Sequence, residues 1–220
     1  MMREKSFNLH KILDKRDLTD STFVLRLERN GLEFEAGQHL QVGPPNGIHV
    51  REYSVYNAPH EDFIEILVRE VDDGLVTPVL KKLHKDDHVV VNDAVGYFVI
   101  EKEKIAEKSF LFVASGTGIS PFHSFVHAYP EMDYKLLHGV RKLEEAYDRE
   151  VYESSRYVSC VSGEAGGDFH GRVTHWLEEN PVSPDTLCYI CGNCDMIYDV
   201  YDILEKQGVK SSNIFTEVYF

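Results

Sequence analysis

Gly116-Thr117-Gly118-Ile119-Ser120-Pro121 stands between an apolar run and an amphipathic one, the setting in which a strand turns into a helix through glycines. Two glycines let the backbone approach a diphosphate, and a helix amino terminus offers unpaired amides and the positive end of its dipole. An ordinary strand-to-helix turn uses the same residues, and the third glycine of the dinucleotide fingerprint is absent, so both readings stand on this segment alone. A second cluster, Arg51-Glu52-Tyr53-Ser54, lies in a strand-like run whose alternation puts Arg51 and Tyr53 on one face and Glu52 and Ser54 on the other. An arginine beside an aromatic ring can clamp a phosphate and stack on a heterocycle; a half-exposed strand with a surface arginine is the alternative. Gly74-Leu75-Val76-Thr77-Pro78 is a further glycine turn entering a helix, a second possible anion site.

Cys191-Gly192-Asn193 ends another apolar run, where a small polarizable thiol suits close contact with a flat ring. Cys188, Cys191 and Cys194 also share a C-x2-C-x2-C spacing that iron–sulfur proteins use. The fourth ligand and the following proline of that run are missing, and Cys188 and Cys191 fall on opposite faces of a strand, so no metal is expected. His123 and His127, four apart on a predicted helix, could share zinc, but no Glu follows His123 and no third ligand is evident, which favours a solvated or packed pair. No distinctive acid pair and no G-x-S-x-G elbow supports a hydrolase. Gly163 to Gly167 form a glycine-rich loop where the far end of a nucleotide could lie.

The elements that must hold these residues come in two styles. Ser6–Asp14, Thr22–Arg29, Gln38–Val42, Val50–Tyr56, Phe63–Arg69 and His88–Val91 read as short strands separated by Asn30-Gly31, Gly43 to Gly47, Asp72-Asp73-Gly74 and Asn92-Asp93. Their spacing predicts an antiparallel barrel, with a short helix at Thr77–Leu83 whose first turn accepts Pro78. Glu101–Lys108 is a linker or short helix. Beyond it the apolar runs Phe110–Ala114, Tyr134–His138, Arg156–Val161, Leu187–Cys191 and Ile214–Val218 alternate with amphipathic segments Pro121–Tyr129, Lys142–Glu153, Val173–Glu179 and Asp195–Gln207. That rhythm predicts an α/β domain with a five-stranded parallel sheet. The boundary is expected at 102/103.

The whole chain of 220 residues carries 37 Asp and Glu against 23 Lys and Arg, a net charge of −14, which argues against a general nucleic-acid binder. Met1 to His10 holds no secretory core, and no stretch approaches the roughly 20 apolar residues of a membrane span, so the expectation is a soluble, cytoplasmic protein that needs no membrane. All four cysteines lie in the second half, three of them within seven residues, which points to reduced thiols rather than staples. Nothing in the pattern demands a dimer, and a monomer is expected.

Taken together these motifs resemble the ferredoxin/flavodoxin NADP reductase family in its compact bacterial form, over nearly the whole chain. The family's R-x-Y-S is similar to Arg51, Tyr53 and Ser54; its G-x-x-[ST] turn to Gly74–Thr77; its G-T-G-[IT]-[AGS]-P loop to Gly116–Pro121; its C-G-N to Cys191–Asn193; and its acidic-x-aromatic segment to Glu217-Val218-Tyr219, with Phe220 after it. The resemblance implies an FAD-binding barrel followed by a pyridine-nucleotide domain. Arg51 and the turn Gly74, Leu75, Val76 and Thr77 would hold the FAD pyrophosphate, Tyr53 would stack on one flavin face and Ser54 would hydrogen-bond N5. Tyr219 would cover the other face and move aside for nicotinamide, and Phe220 would lie against the adenine. Gly116, Thr117, Gly118 and Ser120 would cradle the nucleotide diphosphate, with Gly192 and Asn193 beside it, while Cys191 and Glu217 orient the nicotinamide. Arg141 and Arg172 fall where the family can place cations near the adenosine phosphate. Ser162-Gly163-Glu164 stands where NADPH-selective members show Ser-Arg, and a carboxylate there leans the expectation from NADPH toward NADH. The acceptor implied is a ferredoxin, a flavodoxin or another electron-transfer protein, although −14 repels acidic carriers. A flavin-binding electron-transfer subunit or regulator without productive nucleotide turnover is the alternative.

Overall fold

The computed structural model describes residues 8–46 and 48–219; the expectations for Phe220 and for the start of the first strand lie outside them. The chain divides into two compact units, one of Met1–Val99 with His123–Ala128 and one of Ile100–Phe122 with Tyr129–Phe220.

In the first unit the strands are β1 (Leu9–Asp17), β2 (Thr22–Glu28), β3 (His39–Gly43), β4 (Arg51–Ser54), β5 (Phe63–Arg69) and β6 (His88–Val91), with helix α1 (Thr77–Lys82) before the last. They form one antiparallel six-stranded sheet in the order β4-β3-β6-β1-β2-β5. Its two edges meet where the chain leaves β4: Val55 bridges Ile66 of β5, and the Tyr56 amide donates to the Glu65 carbonyl at 2.8 Å. Closure removes the unpaired strand edges and makes the sheet barrel-like. Inward residues of every strand, among them Ile12, Leu25, Leu40, Val55, Ile64 and Val89, share one core.

The second unit has strands β7 (Ser109–Ser115), β8 (Asp133–Val140), β9 (Tyr157–Val161), β10 (Phe169–His170), β11 (Leu187–Gly192) and β12 (Ile214–Val218). All pair in parallel, in the order β10-β9-β8-β7-β11-β12. The five expected strands are joined by β10, two residues long, which adds an edge. Helices α3 (Val173–Glu179) and α4 (Cys194–Lys206) cover an aliphatic face built from Leu111, Val113, Leu137, Cys188 and Ile190. Phe110, Phe112 and Tyr189 point the other way and form an aromatic cluster, Phe112 stacking on Phe122 with centroids 5.0 Å apart. Strands buried on both faces explain the near-continuous apolar runs.

The helix expected over Lys142–Glu153 does not form; the segment makes two 3-10 turns, Leu143–Glu145 and Arg149–Val151, separated by Asp148 in the left-handed region with φ 51°. Tyr147 and Tyr152 are both buried, and residues five apart on an α-helix would point about 140° away from each other. Burial of both rings outweighs the helix propensity of the Glu and Ala residues between Lys142 and Tyr147.

Candidate functional site

Helix α2 (Ser120–Ala128) grows out of a 3-10 turn over Gly116–Ile119 that directly continues β7. The sheet order reverses at β7, because the chain moves outward through β8, β9 and β10 and then returns to place β11 on the other side. Ligands of open parallel sheets bind beyond the strand carboxyl ends at such a reversal. Two loops meet there, Gly116–Ser120 after β7 and Gly192–Asn193 after β11.

The stitching between them is specific. Ser115 Oγ accepts the Asn193 amide at 2.9 Å. A Cβ on Gly118 would overlap the Cys191 carbonyl, and one on Gly192, whose φ is 138°, would overlap Ser115 Oγ, so both glycines are required by close backbone approach. Ser120 Oγ donates to the Thr117 carbonyl at 2.8 Å and closes the turn. Asn193 caps α4, its Oδ1 accepting the amides of Asp195 and Met196 at 3.0 and 3.4 Å. The two turns thus pack backbone against backbone, with no room for side chains at their two closest points.

Cys191 faces the same side of the sheet as Tyr189 and is fully buried; Glu217, half-buried, is its register partner on β12. Burial first, and then the neighbouring Glu217 charge, push the Cys191 thiol well above its usual range, so it is a neutral thiol rather than a nucleophile. The Tyr219 amide donates to the Gly192 carbonyl at 2.8 Å and so ties the segment after β12 to the same loop.

In the first unit, Arg51 begins β4 and is exposed; among the described residues its guanidinium bonds only the Val50 carbonyl, at 2.9 Å, and forms no ion pair. Tyr53 joins the barrel core at 8% exposure, and its buried hydroxyl has no hydrogen-bond partner among the described residues. Burial raises its pKa far above the normal phenol range, so it stays a donor. Ser54 is buried beside it. The Gly74–Thr77 turn is held by the Thr77 hydroxyl, which accepts the Val71 amide at 2.9 Å, while Leu75 stands 60% exposed. A lone cation and an unsatisfied buried hydroxyl on one strand fit a group that brings both negative charge and hydrogen-bond acceptors, as the pyrophosphate and flavin of FAD do.

The histidines are a packed pair, as expected: His123 stacks on Tyr56 at 3.8 Å and on His127 at 4.2 Å, and its Nδ1 lies 2.7 Å from the Tyr56 carbonyl. Among the described residues no group of three or more His, Cys, Asp or Glu is placed to hold a metal. Arg141 and Arg172 are exposed, at the end of β8 and just before α3. Ser115 and His138 did not stand out in the sequence; the signal available was a polar residue at the carboxyl end of an otherwise apolar strand.

Residues 10–100 match the oxidoreductase FAD-binding domain and residues 112–202 the oxidoreductase NAD-binding domain. The chain is 29% identical over 218 residues to a flavodoxin/ferredoxin–NADP reductase of Escherichia coli, covering 86% of each. It is 25% identical over 225 residues to the toluate 1,2-dioxygenase electron transfer component of Pseudomonas putida, covering 94% of this chain and 66% of the relative. It thus spans about two thirds of the length of that relative and of the phenol hydroxylase P5 protein of Acinetobacter pittii, of which it covers 64%. A ferredoxin NADP+ reductase of Neisseria gonorrhoeae, solved with FAD and NADP bound, has the same fold, with a TM-score of 0.86 over 99% of this chain and all of that one at 24% identity. The two modules are those of a flavin- and nicotinamide-dependent oxidoreductase. The chain belongs to the ferredoxin/flavodoxin–NADP reductase family, a family of enzymes. No helix among the described residues is long and apolar enough to cross a membrane.

Proposed function

We propose that residues 1–102 hold FAD and residues 103–220 bind NADH or NADPH, and that the protein passes electrons from the reduced nicotinamide through FAD to a ferredoxin, a flavodoxin or another electron-transfer protein. The observation that carries this reading is the presence in one chain of Arg51 and a Tyr53 hydroxyl without a partner among the described residues, together with the glycine turns joined by Ser115 and Asn193. When bound, FAD supplies the chemistry, accepting a hydride and releasing its two electrons singly. The chain supplies position. Arg51 and the Gly74–Thr77 turn neutralise and seat the pyrophosphate, Tyr53 and Ser54 orient the flavin, and Gly116, Thr117, Gly118, Ser120, Gly192 and Asn193 receive the nucleotide diphosphate. Cys191 and Glu217 set the nicotinamide ring, and Tyr219 covers the flavin face that nicotinamide must reach. Such alignment turns an encounter into an oriented transfer.

The preferred nucleotide is NADH. The amides of Arg141, Lys142 and Leu143 are already filled by the protein's own carboxylates: Glu145 Oε2 accepts the first two at 2.9 and 3.1 Å, and Glu164 Oε1 accepts the third at 2.9 Å. Two negative charges beside Arg141, at the end of the strand next to β7, disfavour a 2′-phosphate and suit ribose hydroxyls.

The test is an anaerobic titration of the purified, yellow protein with each nucleotide. Bleaching of the flavin band, with kcat/KM favouring NADH, is expected. A colourless protein that refuses FAD ends the enzyme reading, bound FAD that neither nucleotide bleaches leaves a flavin-binding electron-transfer subunit, and strong NADPH preference removes the NADH assignment.

A further inference from the structure

His138, near the end of β8, is completely buried. Its Nε2 lies 2.8 Å from the Gly116 carbonyl oxygen and its Nδ1 3.0 Å from the Tyr157 hydroxyl. A carbonyl oxygen only accepts, so Nε2 carries the proton. Burial keeps the ring neutral, its pKa lowered to about 4, so Nδ1 is bare and accepts from Tyr157. Tyr157, on β9, is held in turn by stacking on Tyr152 with centroids 4.9 Å apart and planes 4° apart. The result is a directed chain from the Tyr157 hydroxyl to His138 and from His138 to the first peptide of the β7 loop.

A peptide unit is a dipole, and a loop that binds anions works only while its amides, not its carbonyl oxygens, face the ligand. Gly116 opens the 3-10 turn and has no side chain to restrict its rotation, so a bond to its carbonyl from outside the turn adds to what holds its direction. We propose that His138 is a positioning residue for the nucleotide, its Nε2–H holding the Gly116 carbonyl away from the bound diphosphate while Tyr157 fixes the tautomer that allows it. This rests on the reading of Gly116–Ser120 as the diphosphate loop.

The experiment compares the FAD-loaded wild type with His138→Phe, His138→Gln and Tyr157→Phe, using two probes. ADP-ribose, which carries the diphosphate, is titrated calorimetrically; dihydronicotinamide riboside, which carries none, serves as reductant of the flavin. His138→Phe is expected to raise the Kd for ADP-ribose about tenfold, the loss of one hydrogen bond beside a charged ligand, and to leave reduction by the riboside within about twofold. Gln can donate to Gly116 and accept from Tyr157, so His138→Gln is expected to restore binding to within about twofold, while Tyr157→Phe weakens it about threefold. Unchanged ADP-ribose affinity in His138→Phe overturns the proposal, as does equal loss with both probes. Should His138→Phe fail to fold, wild-type affinity in Tyr157→Phe or tenfold weakening in His138→Gln overturns it instead. Failure of the functional reading shows separately, as wild-type protein that neither binds ADP-ribose nor is bleached by NADH or NADPH.

Discussion

Arg51 and Tyr53 sit two residues apart on one strand yet have opposite burial, and that difference separates their expected phenotypes. Arg51→Ala removes an exposed cation that forms no ion pair among the described residues, so the FAD-free protein should keep its stability within about 0.5 kcal/mol in urea unfolding, while the Kd for FAD rises at least about tenfold. Tyr53→Phe removes a buried hydroxyl with no partner among the described residues; the FAD-free protein should be as stable or more so, and any FAD weakening then reports the bond that the hydroxyl makes. Loss of FAD-free stability in both variants would contradict these placements. His138 governs the acid side. Its pKa falls from 6.5 to about 4 on folding, so the unfolded chain binds a proton that the folded one refuses. The stabilisation is complete above pH 6.5 and is lost progressively as pH falls toward about 4, at up to about 1.4 kcal/mol per pH unit. Urea melts of wild type and His138→Gln should converge as the pH is lowered through that window; parallel curves would place the titration elsewhere.

At the scale of elements, the two turns at the sheet reversal depend on each other. Ser115→Ala takes away the acceptor of the Asn193 amide and should cost about 1–2 kcal/mol while weakening nucleotide binding. Gly192→Ala meets both a positive φ and the Ser115 side chain, so it should cost more than Ser115→Ala and, in the background of Ser115→Ala, less than on its own. Additive melts in the double variant would deny the contact. The strands that carry these turns were legible because Phe110–Ala114 and Leu187–Cys191 are apolar on both faces, and the glycine loops because their residue types announce turns. What was not legible depended on distant partners. Ser115 finds Asn193 across 78 positions and His138 finds Gly116 across 22, and neither spacing leaves a periodic trace. The lost helix after Lys142 failed for the same reason, since helix propensity is local and the burial of Tyr147 and Tyr152 is not. Strand β10 escaped because two residues are too few for alternation, and it is fastened from outside, by Asp168 Oδ2 accepting the Ser159 amide and hydroxyl at 2.9 and 2.6 Å.

For the whole molecule, the net charge of −14 makes the partner's sign measurable. Reduction of a basic acceptor should slow steeply as ionic strength rises, and that of an acidic acceptor should quicken as mutual repulsion is screened. A rate indifferent to salt would point to a small uncharged acceptor. Thiol burial has a practical corollary. Cys160, Cys188 and Cys191 are inaccessible, and Cys194, at the start of α4, is half-exposed. Maleimide added to the native protein should therefore couple once, at Cys194, next to the residue whose amide joins the two turns. Without any mutagenesis, a fluorophore placed there becomes a reporter of nucleotide arrival, and peptide mass mapping that found more than one adduct before denaturation would show the sheet more permeable than its packing implies.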